Sequence, residues 1–262
     1  MRRPAGFRPK KSLGQNFLVD ENVARKIVNA VDPQPSDHIV EIGPGAGVLT
    51  KYLIAAGSRV HAIEIDARLI ADLQKDFGRH QNFTLVHADF RKLDLRSLAG
   101  SEKIRIVGNI PYHITSPLIF SAFAQREVLC DLTLTVQKEV AERIVAGPGG
   151  KTYGILAIVS QTFASAEMLF TISPHVFRPK PKVESAVVRL QFQPPPVAIS
   201  DEAFYLHLIK TMFAQRRKTL RRSLKLFLKN TAIDFIDLQR RPETLAVAEI
   251  IRLANHLTPM PK

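Results

Sequence analysis

A single cysteine, Cys130, stands in a chain of 262 residues. One cysteine excludes an intramolecular disulfide framework and a cysteine-based zinc site, and it points to a reducing compartment. No apolar run approaches the roughly 18 residues that span a bilayer. The N-terminus lacks the apolar core of a signal peptide, and although its arginines suggest a transit peptide, a motif follows them too soon for a cleaved leader. A soluble cytoplasmic protein without a membrane partner is expected. Acids are also missing locally. Residues 1–11 hold Arg2, Arg3, Arg8, Lys10 and Lys11 without one, and residues 210–229 hold Lys210, Arg216, Arg217, Lys218, Arg221, Arg222, Lys225 and Lys229 without one.

What is present is a globular composition. Hydrophobic residues make up 45% and charged residues 23%, more apolar than a disordered chain sustains. The length suits one large domain, or an ordinary one with a small companion. Lys and Arg number 37 against 24 Asp and Glu, a formal net charge of +13. An excess of this size favours nucleic acid, whose phosphates reward cations through counterion release.

Between the basic poles, short β-branched runs alternate with helical patterns, which indicates βαβ units and a mostly parallel sheet in an α/β fold. A first helix is predicted from the cap Asp20 to Asp32-Pro33, with Val23, Ile27, Val28 and Val31 at helical spacing. Strands are expected at 38–42, 59–63, 83–87, 103–107 and 132–137, and helices at 48–56, 68–77, 116–123 and 138–145. The β-rich runs 164–172 and 183–192 follow as an antiparallel edge. Pro194, Pro195 and Pro196 then interrupt the pattern, and the chain reads helical from Glu202 to its end. The expected domains are therefore 1–193 and 194–262.

The run His38–Gly47 passes from a buried strand into Gly43, Gly45 and Gly47, where missing Cβ atoms permit a tight turn and close approach of a ligand. The next position is Val48, so a dinucleotide fingerprint fails, and no Gly-Lys-Ser/Thr follows to make a P-loop. A plain strand-to-helix turn explains the glycines as well as a ligand does. Glu64 and Asp89 end the next two strands, where acids can accept from ribose hydroxyls and an adenine amino group. Together these positions describe an adenosyl ligand.

After the fourth strand comes Gly108-Asn109-Ile110-Pro111-Tyr112. The lone pair of an adenine N6 is delocalised into the ring, so the amine is a weak nucleophile. Two acceptors aimed at its hydrogens, the Asn109 side-chain oxygen and the Ile110 carbonyl, would favour the pyramidal nitrogen that attacks. Pro111 would stiffen the turn, and Tyr112 would stack on a base removed from its helix. In-line alignment with an electrophilic methyl supplies the rest, without a metal.

With those residues in view, the chain resembles the small-subunit ribosomal RNA adenine dimethyltransferases of the bacterial KsgA type nearly end to end. The matching segments are Lys10–Leu18, Val40–Gly47, Gly108–Tyr112, Val136–Arg143, Phe177–Ser185 and Phe213–Leu220. The resemblance implies a Rossmann-like class I methyltransferase sheet with a small helical C-terminal domain. It implies an S-adenosylmethionine-dependent enzyme that dimethylates N6 of two adjacent adenosines near the 3′ end of 16S rRNA, with a role in small-subunit biogenesis. By the family pattern Asn16, Leu18, Gly43, Glu64, Asp89 and Asn109 touch the cofactor, and Gly45 and Gly47 shape its loop. Phe177 would be a second aromatic wall facing Tyr112. The chain departs from the common pattern at His113, Thr115-Ser116, Ile155 and Lys180, none of them essential to this chemistry.

In the tail, Leu208, Met212, Phe213, Leu220, Leu224 and Phe227 can form one apolar stripe that leaves the arginines to other faces. Lys10, Lys11, Arg216, Arg217, Lys218, Arg221 and Arg222 are the expected RNA contacts. The expected partner is small-subunit rRNA in a partly assembled subunit, met by a monomer. A macrolide-resistance methyltransferase of the large subunit, a mitochondrial transcription factor on the same fold and a nicotinamide oxidoreductase are the competing readings. The segments around Gln15 and Gln215, the compact chain and Val48 weigh against them in turn.

Overall fold

The computed structural model describes residues 10, 13–228 and 232–258. Its elements are β1 (Phe17–Leu18), α1 (Glu21–Val31), β2 (His38–Ile42), α2 (Thr50–Ala55), β3 (Arg59–Glu64), α3 (Ala67–Phe77), β4 (Phe83–His87), α4 (Leu95–Ala99), β5 (Ile104–Asn109), α5 (Thr115–Phe123), β6 (Leu129–Gln137), α6 (Lys138–Ile144), α7 (Ile155–Phe163), β7 (Ala164–Ile172), β8 (Phe177–Arg178), β9 (Ser185–Phe192), α8 (Glu202–Ala214), α9 (Leu220–Ser223), α10 (Lys225–Leu228) and α11 (Val247–Leu257). Seven strands form one sheet in the order β4-β3-β2-β5-β6-β9-β7, and β1 pairs with β8 in a separate ribbon. From β4 to β6 all pairings are parallel, and β9 runs antiparallel to β6.

Every residue of β2 is buried, as a central strand covered on both faces requires. Helix α1 starts where the Asp20 carboxylate accepts from the N–H groups of Asn22 and Val23, at 2.9 and 3.0 Å. It buries Ala24, Ile27, Val28 and Val31 and stops at Asp32, whose φ of 53° is left-handed, ahead of Pro33. Helix α3 buries Leu69, Leu73 and Phe77 at four-residue intervals. Burying each of these larger side chains is worth about 1.5–3 kcal/mol, and truncating Leu73 to Ala costs about 2–5 kcal/mol through the cavity it leaves.

Two glycines fix the approach of these elements. A Cβ on Gly47, where φ is +74°, would meet the Phe77 ring at 2.3 Å, and one on Gly108 would meet the Ile42 carbonyl oxygen at 2.7 Å. Gly47 therefore lets the loop pack on α3, and Gly108 lets β5 run close beside β2 just before Asn109. At the other end of β5, the Arg105 guanidinium donates to the Val31 and Asp32 carbonyls and pairs with Asp37 and Asp131. It thereby neutralises the C-terminus of α1.

The chain divides into two compact units, one running up to Ala141 and including Glu167–Phe192, the other made of Glu142–Ala166 and the chain from Gln193 onward. The single boundary expected after residue 193 is thus corrected: 142–166 belongs with the C-terminal unit. Tyr153, Ala157 and Ile158 are buried in one apolar cluster with Leu208, Met212 and Ile251, which is the physical reason. The tail is not helical throughout. Gln215–Thr219 and residues 232–241 lie outside helices, and the N–H groups of Leu220 and Arg221 bond to the carbonyls of Arg240 and Leu238 instead of continuing a helix. The apolar stripe predicted from Leu208 to Phe227 is accordingly shared by α8, α9 and α10.

Candidate active site

The C-terminal ends of β2, β3, β4 and β5 open into a cleft of about 1070 Å³, counting its mouth. Asn16, Leu18, Gly43, Gly45, Glu64, Asp89 and Asn109 all line it, so most of the expected cofactor residues lie together. Gly47 is not among the lining residues. Its missing Cβ accommodates Phe77 and not a ligand.

Glu64, only 3% exposed, accepts from the Gly45 N–H at 3.2 Å through one oxygen and from the Asp66 N–H at 2.8 Å through the other. Burial raises its pKa, and these backbone bonds oppose the shift. Each oxygen keeps a lone pair for a further donor. Asp89 caps the turn after β4 by accepting from the Arg91 N–H, and its carboxylate is forked to the Arg91 guanidinium, which holds its pKa down.

A third acid was missed by the sequence reading. Glu41, buried in β2 and lining the cleft, accepts from the Thr50 hydroxyl at 2.7 Å. Burial is the main reason its pKa is pushed up to about 7, with the Glu64 charge adding to the shift. The available signal was an acid inside an apolar strand immediately before the glycine loop. Gln15 and Asp66 were missed too. The Gln15 amide donates to Asp66 at 2.9 Å and its oxygen accepts from the Lys10 N–H, which ties the N-terminal arm to the turn after β3.

Asn109 closes β5, and its amide nitrogen donates to the Asn16 carbonyl at 3.1 Å. With the donor end committed, the other end of the side chain is an acceptor. Pro111 lines the cleft, Ile110 is buried, and the Tyr112 hydroxyl shares a 2.7 Å hydrogen bond with Ser185 Oγ. Phe177 departs from expectation. It is fully buried, in register opposite Leu18 in the β1–β8 ribbon and part of the core around Ile172 and Val187. In this conformation it offers no open face to a base.

The basic candidates separate as well. Lys10 is exposed, and Lys11 lies outside the described residues. Arg217, Lys218, Arg221 and Arg222 are exposed, and among the described residues none of them forms an ion pair. Arg216 is different: its guanidinium donates to the carbonyls of Lys151 and Gly150 at 2.7 and 2.8 Å and lies 4.0 Å from Glu243. It braces its own unit. Among the described residues no group of three or more His, Cys, Asp or Glu could hold a metal ion, and no helix is long and apolar enough to cross a membrane.

A family model described as "Ribosomal RNA adenine dimethylase" matches residues 6–258. "Ribosomal RNA small subunit methyltransferase A" of Chlorobium phaeobacteroides (strain BS1) is 42% identical over 254 residues, covering 96% of this chain and 95% of its own. The protein of the same name from Methylococcus capsulatus is 42% identical over 257 residues, covering 96% and 98%. Among solved structures, a dimethyladenosine transferase from Plasmodium falciparum superposes with a TM-score of 0.76 at 25% identity, covering 90% of this chain and 95% of its own.

Proposed function

Since the chain belongs to the ribosomal RNA adenine dimethylase family, we propose that it converts two adjacent adenosines near the 3′ end of 16S rRNA to N6,N6-dimethyladenosine. The methyl donor is S-adenosylmethionine. The protein works as a cytoplasmic monomer on small-subunit rRNA in a partly assembled subunit, as a step in small-subunit biogenesis. The observation that carries the reading is Asn109, held by the Asn16 carbonyl at the edge of a cleft whose wall also contains Glu41, Glu64 and Asp89.

These side chains fit an adenosyl cofactor. Glu64 has a lone pair left on each oxygen for the ribose hydroxyls, Asp89 accepts from the adenine amino group, and Glu41 in its ionised form is the counterion of an ammonium group. When bound, the cofactor supplies an electrophilic methyl on sulfur. At the target base, Asn109 Oδ1 and the Ile110 carbonyl accept the N6 hydrogens and localise the nitrogen lone pair for attack. Such preorganised acceptors act by fitting the transition state. The methylated N6 cation is a strong acid and gives its proton to water, so no strong base is required. Tyr112, its ring anchored through Ser185, stacks on the extruded adenine.

Primer extension on rRNA from cells with and without the gene tests the proposal. Dimethyladenosine blocks the polymerase, so a gene-dependent stop near the 3′ end of 16S rRNA is expected. A gene-dependent stop in large-subunit rRNA instead, or no stop at all, would overturn it.

A further inference from the structure

The segment joining β7 to β9 carries charge that the reaction above does not use. Between Ser173 and Glu184 stand Arg178, Lys180 and Lys182, with Glu184 the one acid. Glu184 is already neutralised by Lys138, whose Nζ lies 2.8 Å from its carboxylate. Among the described residues, none of the three cations is paired with a carboxylate.

Local chemistry turns them outward. Pro179 and Pro181 fix their own φ angles, and Pro181 is buried while Arg178, Lys180 and Lys182 are exposed. Arg178 donates to the carbonyls of His175 and Phe177 at 2.9 and 2.8 Å, and Lys180 Nζ lies 3.2 Å from His175 Nε2. The loop therefore carries three like charges close together in sequence, two of them held by contacts within the loop, an arrangement that favours an anion and is partly preorganised to receive one.

Both ends of this loop are tied to the active site. Phe177 is in register with Leu18, which lines the cleft, and Ser185 is hydrogen-bonded to Tyr112 in the catalytic turn. A polyanion reaching Tyr112 with one of its bases brings its flanking phosphates to this neighbourhood. Val183, 45% exposed beside Lys182, adds an apolar surface for a sugar or base.

We propose that Arg178, Lys180 and Lys182 form a clamp for the RNA phosphates flanking the target adenosine, separate from the cations of the tail. The inference rests on the function proposed above.

The test compares the full chain with Lys180→Gln/Lys182→Gln, since neither side chain holds backbone in place. Binding of a synthetic RNA with the 3′ sequence of 16S rRNA is measured across a salt series. Each lost single-strand phosphate contact removes about 0.7 from the slope of log K against log salt, so the double variant should be flatter by about 1.4. With small subunits as substrate KM should rise, with kcat at saturating subunits, cofactor affinity and melting temperature unchanged. Lys180→Arg/Lys182→Arg should restore the wild-type slope. An unchanged slope in the glutamine variant overturns the clamp. Failure of the proposed function shows separately, as wild-type protein that leaves both the RNA and small subunits unmethylated while the slopes still decide the clamp.

Discussion

Replacing Glu41 by Gln should stabilise the ligand-free protein at high pH relative to low pH. The folded-state pKa of Glu41 stands at about 7, against an ordinary value of 4.5. Between those values Glu41 holds a proton in the folded protein that it has released in the unfolded chain, so its contribution to wild-type stability falls as pH rises through the window. At about 1.36 kcal/mol per pH unit of displacement, the full loss is about 3 kcal/mol by pH 8. Gln does not titrate and escapes it, while its amide oxygen can still accept from Thr50 Oγ1. Its extra buried N–H groups cost about 1–3 kcal/mol if left unpartnered, but that penalty is independent of pH. The diagnostic is thus the change with pH in the difference between the two proteins. Urea unfolding without cofactor, at several values from about pH 4 to about pH 8, measures it, with equal m-values as the check on two-state comparison. His38, His61 and the titrating groups that do not interact with Glu41 are common to both proteins and cancel, while Glu64, whose charge adds to the Glu41 shift, belongs to the same titration. A stability difference that stays constant from acid to alkaline pH would refute the displaced pKa and its origin in burial.

Other expectations follow from the same geometry. Glu64→Ala should weaken S-adenosylmethionine binding by roughly 1.5–3 kcal/mol, the worth of charged hydrogen bonds, and calorimetry on the folded variant checks it. Asn109→Ala should slow single-turnover methyl transfer by about 10²–10³-fold at saturating cofactor, the usual cost of losing a transition-state acceptor, with RNA affinity nearly intact. Replacing Arg217, Arg221 and Arg222 together with Ala should flatten the salt dependence of RNA binding by about 2–3 in slope, measured by filter binding. His38, its pKa pulled down to about 4 by burial next to His61, is protonated first in the unfolded chain. The His38 contribution to stability should therefore fall as pH drops from 6.5 towards 4, opposite in sign to that of Glu41, and the stability difference between wild type and His38→Gln in urea titrations isolates it.

Elements with their own punctuation were legible in the sequence. The 38–42 and 83–87 strands and the helix after Asp20 stand at the expected positions because turn residues or a cap bound each apolar pattern. Helix α4 has only five residues, too few to display a period. Helix α7 is buried on almost every side, so no polar face marks its turns, and its place with the C-terminal unit depends on packing partners more than forty residues away. The two-residue strands β1 and β8 owe their pairing to one another, and neither has a local signal. The same limit explains Phe177: its identity was readable, whereas its burial opposite Leu18 is a property of the ribbon.

The arginines of the tail show where reading by composition stops. Arg216, Arg217, Arg221 and Arg222 are equivalent as charges in an acid-free run, and assuming one continuous helix gives them equivalent faces. The chain instead leaves the helix at Gln215, and the turn that follows brings the Arg216 guanidinium against two backbone carbonyls of residues 150 and 151. Those carbonyls come from a loop sixty-five residues earlier, which no window around residue 216 contains. A guanidinium whose two terminal nitrogens each donate to a carbonyl, as in Arg216, is committed to its own fold, since removing it leaves the acceptors short of a partner. One that touches no acceptor remains available to phosphate. Arg216→Ala should accordingly lower the melting temperature, whereas Arg217→Ala should lower the salt slope of RNA binding by about 0.7–0.9 and leave melting unchanged.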